Sequence, residues 1–351
     1  MAGGSGTRFW PISTQQVPKQ FVTVDVLGKS FLQVTRSRFD NLIPPERTIV
    51  VTNRKYGDMV REHLPEIPAE NIIEEPYNRD TAPCVALATY TILKRDPNAI
   101  MVVVPSDHLI FEKARFHEIV SYVTAQLADR DALVTIGTTP TRPETNYGYI
   151  QTECIPTEDS FVKVKTFTEK PDAELAKVFI SSGEFLWNSG IFIWKADTIR
   201  HEIERYLPRV ADLFNGWEGA LDTPSAPDFL NKVYADIQKI SIDYGIMEHT
   251  ENAWTYVANF GWYDIGTTES LYSFYPGKDR DENASNCPTM LQNSHRNLMV
   301  STNKEKLIAV CGLDDYAVVD TADVLMVCPR NDKKIREFLS NLALPEYSKY
   351  R

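Results

Sequence analysis

Short apolar runs alternate with longer amphipathic stretches through the first part of the chain. Thr48-Ile49-Val50-Val51-Thr52 and the runs 99–104 and 133–137 read as buried strands, being β-branched or apolar throughout and too short for a buried helix. Between them, 55–64, 81–95 and 116–127 carry apolar residues at helical spacing. Pro65 stops the first helix. Pro83 falls in the first turn of the second, where its missing N–H removes no helical bond. Strand and helix in alternation predict a parallel sheet with helices on both faces.

The pattern changes near Gly148. The segments 148–152, 161–167 and 190–194 read as strands with little helix between them, and 172–180 as an amphipathic helix, so a mixed portion extends the sheet. A helical stretch covers 201–240. The passage 276–287 is polar, rich in charge and Asn, and reads as a linker. Short strands at 307–310, 316–320 and 324–327 and a helix at 332–342 follow. The expected fold class is α/β: a Rossmann-like mixed, mainly parallel sheet flanked by helices over 1–275, then a small β-rich domain with a terminal helix over 276–351. A chain of 351 residues has the length for one large and one small domain.

Composition narrows the function. A net charge of −11 argues against a general nucleic-acid binder, which needs a basic face. Anionic substrates would require a locally cationic site or a metal. Cys84, Cys154, Cys287, Cys311 and Cys328 are odd in number and form no C-x-x-C pair, which speaks against a disulfide framework or zinc site and for reduced thiols in the cytoplasm. No apolar run approaches the roughly 20 residues of a membrane span, and no basic-then-apolar signal opens the chain.

The chemistry begins at Gly3-Gly4-Ser5-Gly6-Thr7-Arg8. Glycines and hydroxyls this dense make a loop whose N–H groups can approach an anion, with a fixed cation at its end. The loop is neither a P-loop nor a dinucleotide fingerprint: Arg8 stands after Thr7, and Phe9 occupies the position of the third glycine. Pro18-Lys19-Gln20-Phe21 adds a second cation. Met101-Val102-Val103-Val104-Pro105-Ser106-Asp107-His108 is a buried strand followed by a carboxylate, and Phe260-Gly261-Trp262-Tyr263-Asp264 supplies another. Asp107 and Asp264 would suit Mg²⁺, which takes one or two protein carboxylates. Asp107 equally suits a turn cap, and spacing does not say whether the two meet. Glu169-Lys170 at a strand end offers a point charge for a phosphate or an ordinary surface ion pair. Asn188 offers donors and acceptors to hydroxyls. Gly148 allows close backbone approach, and Glu75 to Pro83 leads into a helix N-terminus. His108 reads as structural.

Taken in order, GGSGTRFWP, PKQF, EPYNRDTAP, VVVPSDH, ETNYGYI, FTEKPD, WNSGIF, SIDYGIME and FGWYDIGT resemble the mannose-1-phosphate guanylyltransferases, the GDP-mannose pyrophosphorylases of the sugar nucleotidyltransferase family. The likeness runs from Ala2 to about Tyr272 and is weaker in the tail. It implies that GTP and mannose 1-phosphate give GDP-mannose and pyrophosphate. It assigns Arg8 and Lys19 to catalysis, Gly3, Gly4, Ser5, Gly6, Thr7, Pro83 and Ser106 to the nucleotide, and Gly148, Glu169, Lys170 and Asn188 to the sugar phosphate. Asp107 and Asp264 become the Mg²⁺ ligands. The implied tail is a fragment of left-handed β-helix, and the implied assembly a homodimer.

The family carries an apolar strand before its glycine loop, whereas this chain reads Met1-Ala2-Gly3, so the resemblance implies a catalytic domain without its first strand. Asp80 stands where the family has Asn, and Asn146 where it has Gly. These departures leave two alternatives: a nucleotidyltransferase for another base or hexose phosphate, and an inactive nucleotide-sugar-binding subunit.

Overall fold

Leu133–Thr138 is buried along its whole length, as a strand covered on both faces must be. It lies inside a six-stranded sheet ordered Ile100–Val103, Phe185–Lys195, Leu133–Thr138, Ala253–Val257, Phe161–Thr168, Tyr149–Thr152. The computed structural model describes all residues except Ser5, Thr7, Arg8, Asp25, Val26, Glu169 and 331–334, and the side chains of 335–337 and Ala343. The chain separates into two units: Met1–Gly3, Arg38–Pro105 and Ile110–Trp262 form the first, and Gly4–Ser37, Ser106–Leu109 and Tyr263–Arg351 the second.

The long strand of the first unit, Phe185–Lys195, shows how period-two alternation sorts side chains. Phe192 and Trp194 join one core cluster with Leu87, Tyr90, Met101 and Ile199. Ile191 and Ile193 join the other, with Phe116, Ile119, Val123, Ile136 and Tyr256. The helix Thr81–Arg95 supplies the first cluster and Lys113–Leu127 the second, giving the expected α/β layers. The parallel share is smaller than the sequence suggested. Among the described residues of this sheet, only Leu133–Thr138 and Ala253–Val257 run parallel. Phe185–Lys195 pairs antiparallel with Ile100–Val103, Leu133–Thr138 and Tyr149–Thr152. The reason is connectivity: antiparallel neighbours need no helical crossover, and the middle of the chain has few helices to provide one. A separate parallel pair joins Val50–Asn53 to Ile72–Glu75. The helical region predicted after residue 200 is four helices: Ala196–Tyr206, Pro208–Leu213, Trp217–Ala220 and Ala226–Asp236.

In the second unit, Ala284–Ser285, Leu298–Ser301 and Tyr316–Asp320 stack in parallel, and Thr289–Gln292 pairs in parallel with Ile308–Cys311. These are successive turns of a coil. Asparagines bond the turns together: Asn283 Oδ1 accepts from Asn297 N, and Asn297 Oδ1 accepts from Tyr316 N. Leu298, Val300, Ala317 and Val319 fill the interior with Trp10 and Tyr272. The coil therefore begins inside the passage read as a linker, where Asn283 and Ala284 are buried. Its polar residues are the rungs themselves. Leu325–Pro329 closes the stack in the opposite direction. Among the described residues, no helix is long and apolar enough to cross a membrane.

Candidate functional site

In the second unit, a buried cation joins two carboxylates from distant parts of the chain. Lys19 sits in the single turn Lys19–Phe21 after Pro18, and only 3% of it is exposed. Its ammonium donates to Asp107 Oδ2 at 2.9 Å and to Asp264 Oδ1 at 3.2 Å. The two acids are more open, with 35% and 17% of their side chains exposed. Burial pushes the Lys19 pKa down, but the two carboxylates outweigh it and leave the ammonium above its ordinary value. Its Nζ also lies 5.3 Å from the centre of the Phe31 ring. His108 Nε2 is 3.9 Å from Asp107 and 3.8 Å from Asp264.

The glycine segment is built onto this lysine. Gly6 has φ +60°, and a Cβ there would lie 2.6 Å from Lys19 Cβ and 2.7 Å from its backbone nitrogen, so only glycine fits. Ser13 donates its hydroxyl to the Gly6 carbonyl, and Gln20 donates to the Gly4 carbonyl. Ser106, beside Asp107, is buried. Ser5, Thr7 and Arg8 lie outside the described residues, as does Glu169.

The arrangement suits a divalent ion. Two hard oxygen donors already converge on one positive centre, the Lys19 ammonium, and both remain partly open. Among the described residues, no group of three or more His, Cys, Asp or Glu gathers as a metal site, so such an ion would complete its shell from substrate and water.

The first unit holds the remaining predicted residues in a different setting. Pro83 is buried in the first turn of Thr81–Arg95. Asp80 caps that helix at φ +72°, with its carboxylate accepting from Thr81 N. Gly3 lies against Glu75: a Cβ on Gly3 would stand 3.1 Å from Glu75 Oε2. Glu75 is 4% exposed and accepts a hydrogen bond from Tyr234 Oη at 2.9 Å. Burial raises its pKa to about 7, against the opposing pull of Tyr234 and of the chain's amino terminus. Arg79 donates to the carbonyls of Tyr234 and Ala235, at the end of the helix Ala226–Asp236.

Gly148 and Asn188 are neighbours, with Asn188 N donating to the Gly148 carbonyl at 2.9 Å. The Asn188 amide donates to Asp243 Oδ1 at 2.8 Å and accepts from Gly190 N at 3.0 Å. Burial holds the Asp243 carboxyl above its ordinary pKa, while Asn188 and then Lys170 pull it back. Lys170 itself is exposed, at φ +46°. Glu75, Tyr234 and Asp243 were given no role by sequence reasoning, although the motifs EPYNRDTAP and SIDYGIME contain two of them. Only Asp243 carries a local signal, a carboxylate between Ile242 and the apolar 244–247.

Known proteins resemble the chain along its length. Residues 1–278 match the family model described as nucleotidyl transferase, and 293–342 match the MannoseP isomerase/GMP-like beta-helix domain. The mannose-1-phosphate guanylyltransferase of Klebsiella pneumoniae is 34% identical over 363 residues, covering 100% of this chain and 75% of that protein. The alginate biosynthesis protein AlgA of Pseudomonas fluorescens is 34% identical over 355 residues, covering 97% and 71%. A solved structure from Thermus thermophilus, described as a mannose-1-phosphate geranyltransferase, superposes with a TM-score of 0.86 at 29% identity, covering 98% of both chains. With a match along its whole length and with the catalytic-domain and β-helix models in the same order, the chain belongs to the mannose-1-phosphate guanylyltransferases of the nucleotidyl transferase family.

Proposed function

We propose that this chain transfers GMP from GTP to mannose 1-phosphate, giving GDP-mannose and pyrophosphate. The observation that carries the reading is the Lys19, Asp107 and Asp264 cluster in a chain with full-length similarity to enzymes of that name. An oxygen of the sugar phosphate attacks the α-phosphorus in line. A new P–O bond forms, the α–β anhydride bond breaks, and pyrophosphate leaves with the electron pair. The attacking phosphate is ionised at neutral pH, so no general base is needed. The work is positioning and charge stabilisation.

Arg8 and Lys19 offset charge on the departing pyrophosphate, and Gly3, Gly4, Ser5, Gly6, Thr7, Pro83 and Ser106 hold the nucleotide. Gly148, Glu169, Lys170 and Asn188 receive the sugar phosphate. Asp107 and Asp264 hold Mg²⁺, which when bound draws negative charge from the phosphate oxygens. Catalysis belongs to a domain over 1–275. The tail over 276–351 pairs two copies in the cytoplasm, a reading supported by Met290, Leu325 and Val327, which leave 62%, 65% and 52% of their surface open on its strands.

Incubation with GTP, mannose 1-phosphate and Mg²⁺, read as pyrophosphate release, tests the reaction. Release that stops on chelation and returns with Mg²⁺ supports it. Silence with this pair, alongside turnover of another nucleotide or hexose phosphate, replaces the substrates. Binding of GDP-mannose without any turnover replaces the enzyme with a binding subunit.

A further inference from the structure

We propose that Asp243 is a positioning residue for the hexose phosphate: it fixes the amide of Asn188, and residues 240–243 tie that amide to the segment 79–83. The proposal rests on the reading of Asn188 as a sugar contact.

The amide of Asn188 is pinned at both ends. Its oxygen accepts from Gly190 N at 3.0 Å and from Thr135 Oγ1 at 3.1 Å, the latter shared with the carbonyl of Ile191. Its nitrogen donates to Asp243 at 2.8 Å. The acceptor end is therefore occupied, and one N–H remains for a ligand oxygen. A carboxylate accepts only, so Asp243 forces the NH₂ end toward itself and forbids the flipped amide. The local backbone serves the same end. The pairing of Phe185–Lys195 with Leu133–Thr138 shifts register between Asn188 and Phe192, and Gly190 there has φ +69°. Irregularities of this kind re-aim a side chain.

Asp243 is itself held from the other side. It opens a π-helical turn, Asp243–Met247, a rare form that is frequent at functional sites. The residues just before it bond to the 79–83 segment. Ile240 N donates to the Arg79 carbonyl, Ala82 N donates to the Ile240 carbonyl, and Ile242 N donates to Thr81 Oγ1 at 2.8 Å. Hydrogen bonds at either end of the covalent step from Ile242 to Asp243 thus link the start of the helix Thr81–Arg95 to the amide of Asn188.

The test is a cycle of D243A, N188A and the double variant, with D243N as a near-isosteric control. Steady-state constants for both substrates, calorimetric titration with mannose 1-phosphate, and melting temperature are read for each. D243A is expected to raise KM for mannose 1-phosphate about tenfold while KM for GTP stays within about twofold. D243N, whose amide oxygen can still accept from Asn188, is expected to recover part of that loss. The double variant should be no worse than N188A alone, because one residue acts through the other. Multiplying effects, an unchanged sugar KM in D243A, or both KM values rising together with a lower melting temperature overturns the proposal. If the wild type binds mannose 1-phosphate without turnover, the activity reading fails while the calorimetric arm still decides this one. A wild type that neither binds nor turns over that sugar overturns both.

Discussion

The two units keep their acids by opposite means. In the second, Asp107 and Asp264 share a buried ammonium, and charge answers charge. In the first, Glu75 and Asp243 are paired to neutral donors, a phenol and an amide. Burial works against the charged form in both places, and the partners decide the outcome. Lys19 is raised because its charged form is favoured, whereas Glu75 is raised because its charged form is not. One arrangement is suited to handling phosphate charge and the other to holding backbone and amides in place.

The largest effect should come from removing the shared cation. Lys19→Ala removes the buried ammonium that the two carboxylates share. It should cost about 3 kcal/mol of stability by urea titration and lower turnover at least about a hundredfold. Normal turnover in a folded Lys19→Ala protein would reduce the cluster to a structural ion pair. Next, Asp107→Asn and Asp264→Asn should each lower turnover at least about tenfold, with excess Mg²⁺ restoring part of it. Wild-type rates in both variants would remove the metal assignment.

These residues also mark the limit of what the sequence made legible. The helix at 81–95 and the strands at 133–137 and 316–320 could be read from periodicity nearly to the residue, since each signal is local. Lys19, Asp107 and Asp264 could be singled out by residue type and motif order, but their meeting could not, because the spacing of 88 and 245 positions between donor and acceptors carries no distance information. Tyr234 is 159 positions from Glu75, and nothing near either residue announces the other. Strand direction failed for the same reason: alternation places strands but does not choose their neighbours.

The first unit provides the smaller tests. With a folded pKa of about 7 against an ordinary 4.5, Glu75 favours the fold while protonated. Its contribution is complete below pH 4.5 and is lost as pH rises to 7, a change of about 3 kcal/mol. Glu75→Gln should flatten stability across that interval, measured by denaturant midpoints at several pH values. A slope that survives the substitution would assign it to another group. Gly6→Ala should cost about 1–3 kcal/mol through its positive φ and the Lys19 backbone. Because the strain falls on the lysine that holds both acids, turnover should fall further than stability. Equal losses would separate the loop from the cluster.

Lys19 has a consequence for timing. Two like charges a few ångströms apart repel, and an enzyme that gathered them only when its ligands arrived would lose binding energy to that repulsion. Here an internal counter-ion holds the acids together beforehand. The assembly cost is met once, when the chain folds, rather than in every catalytic cycle.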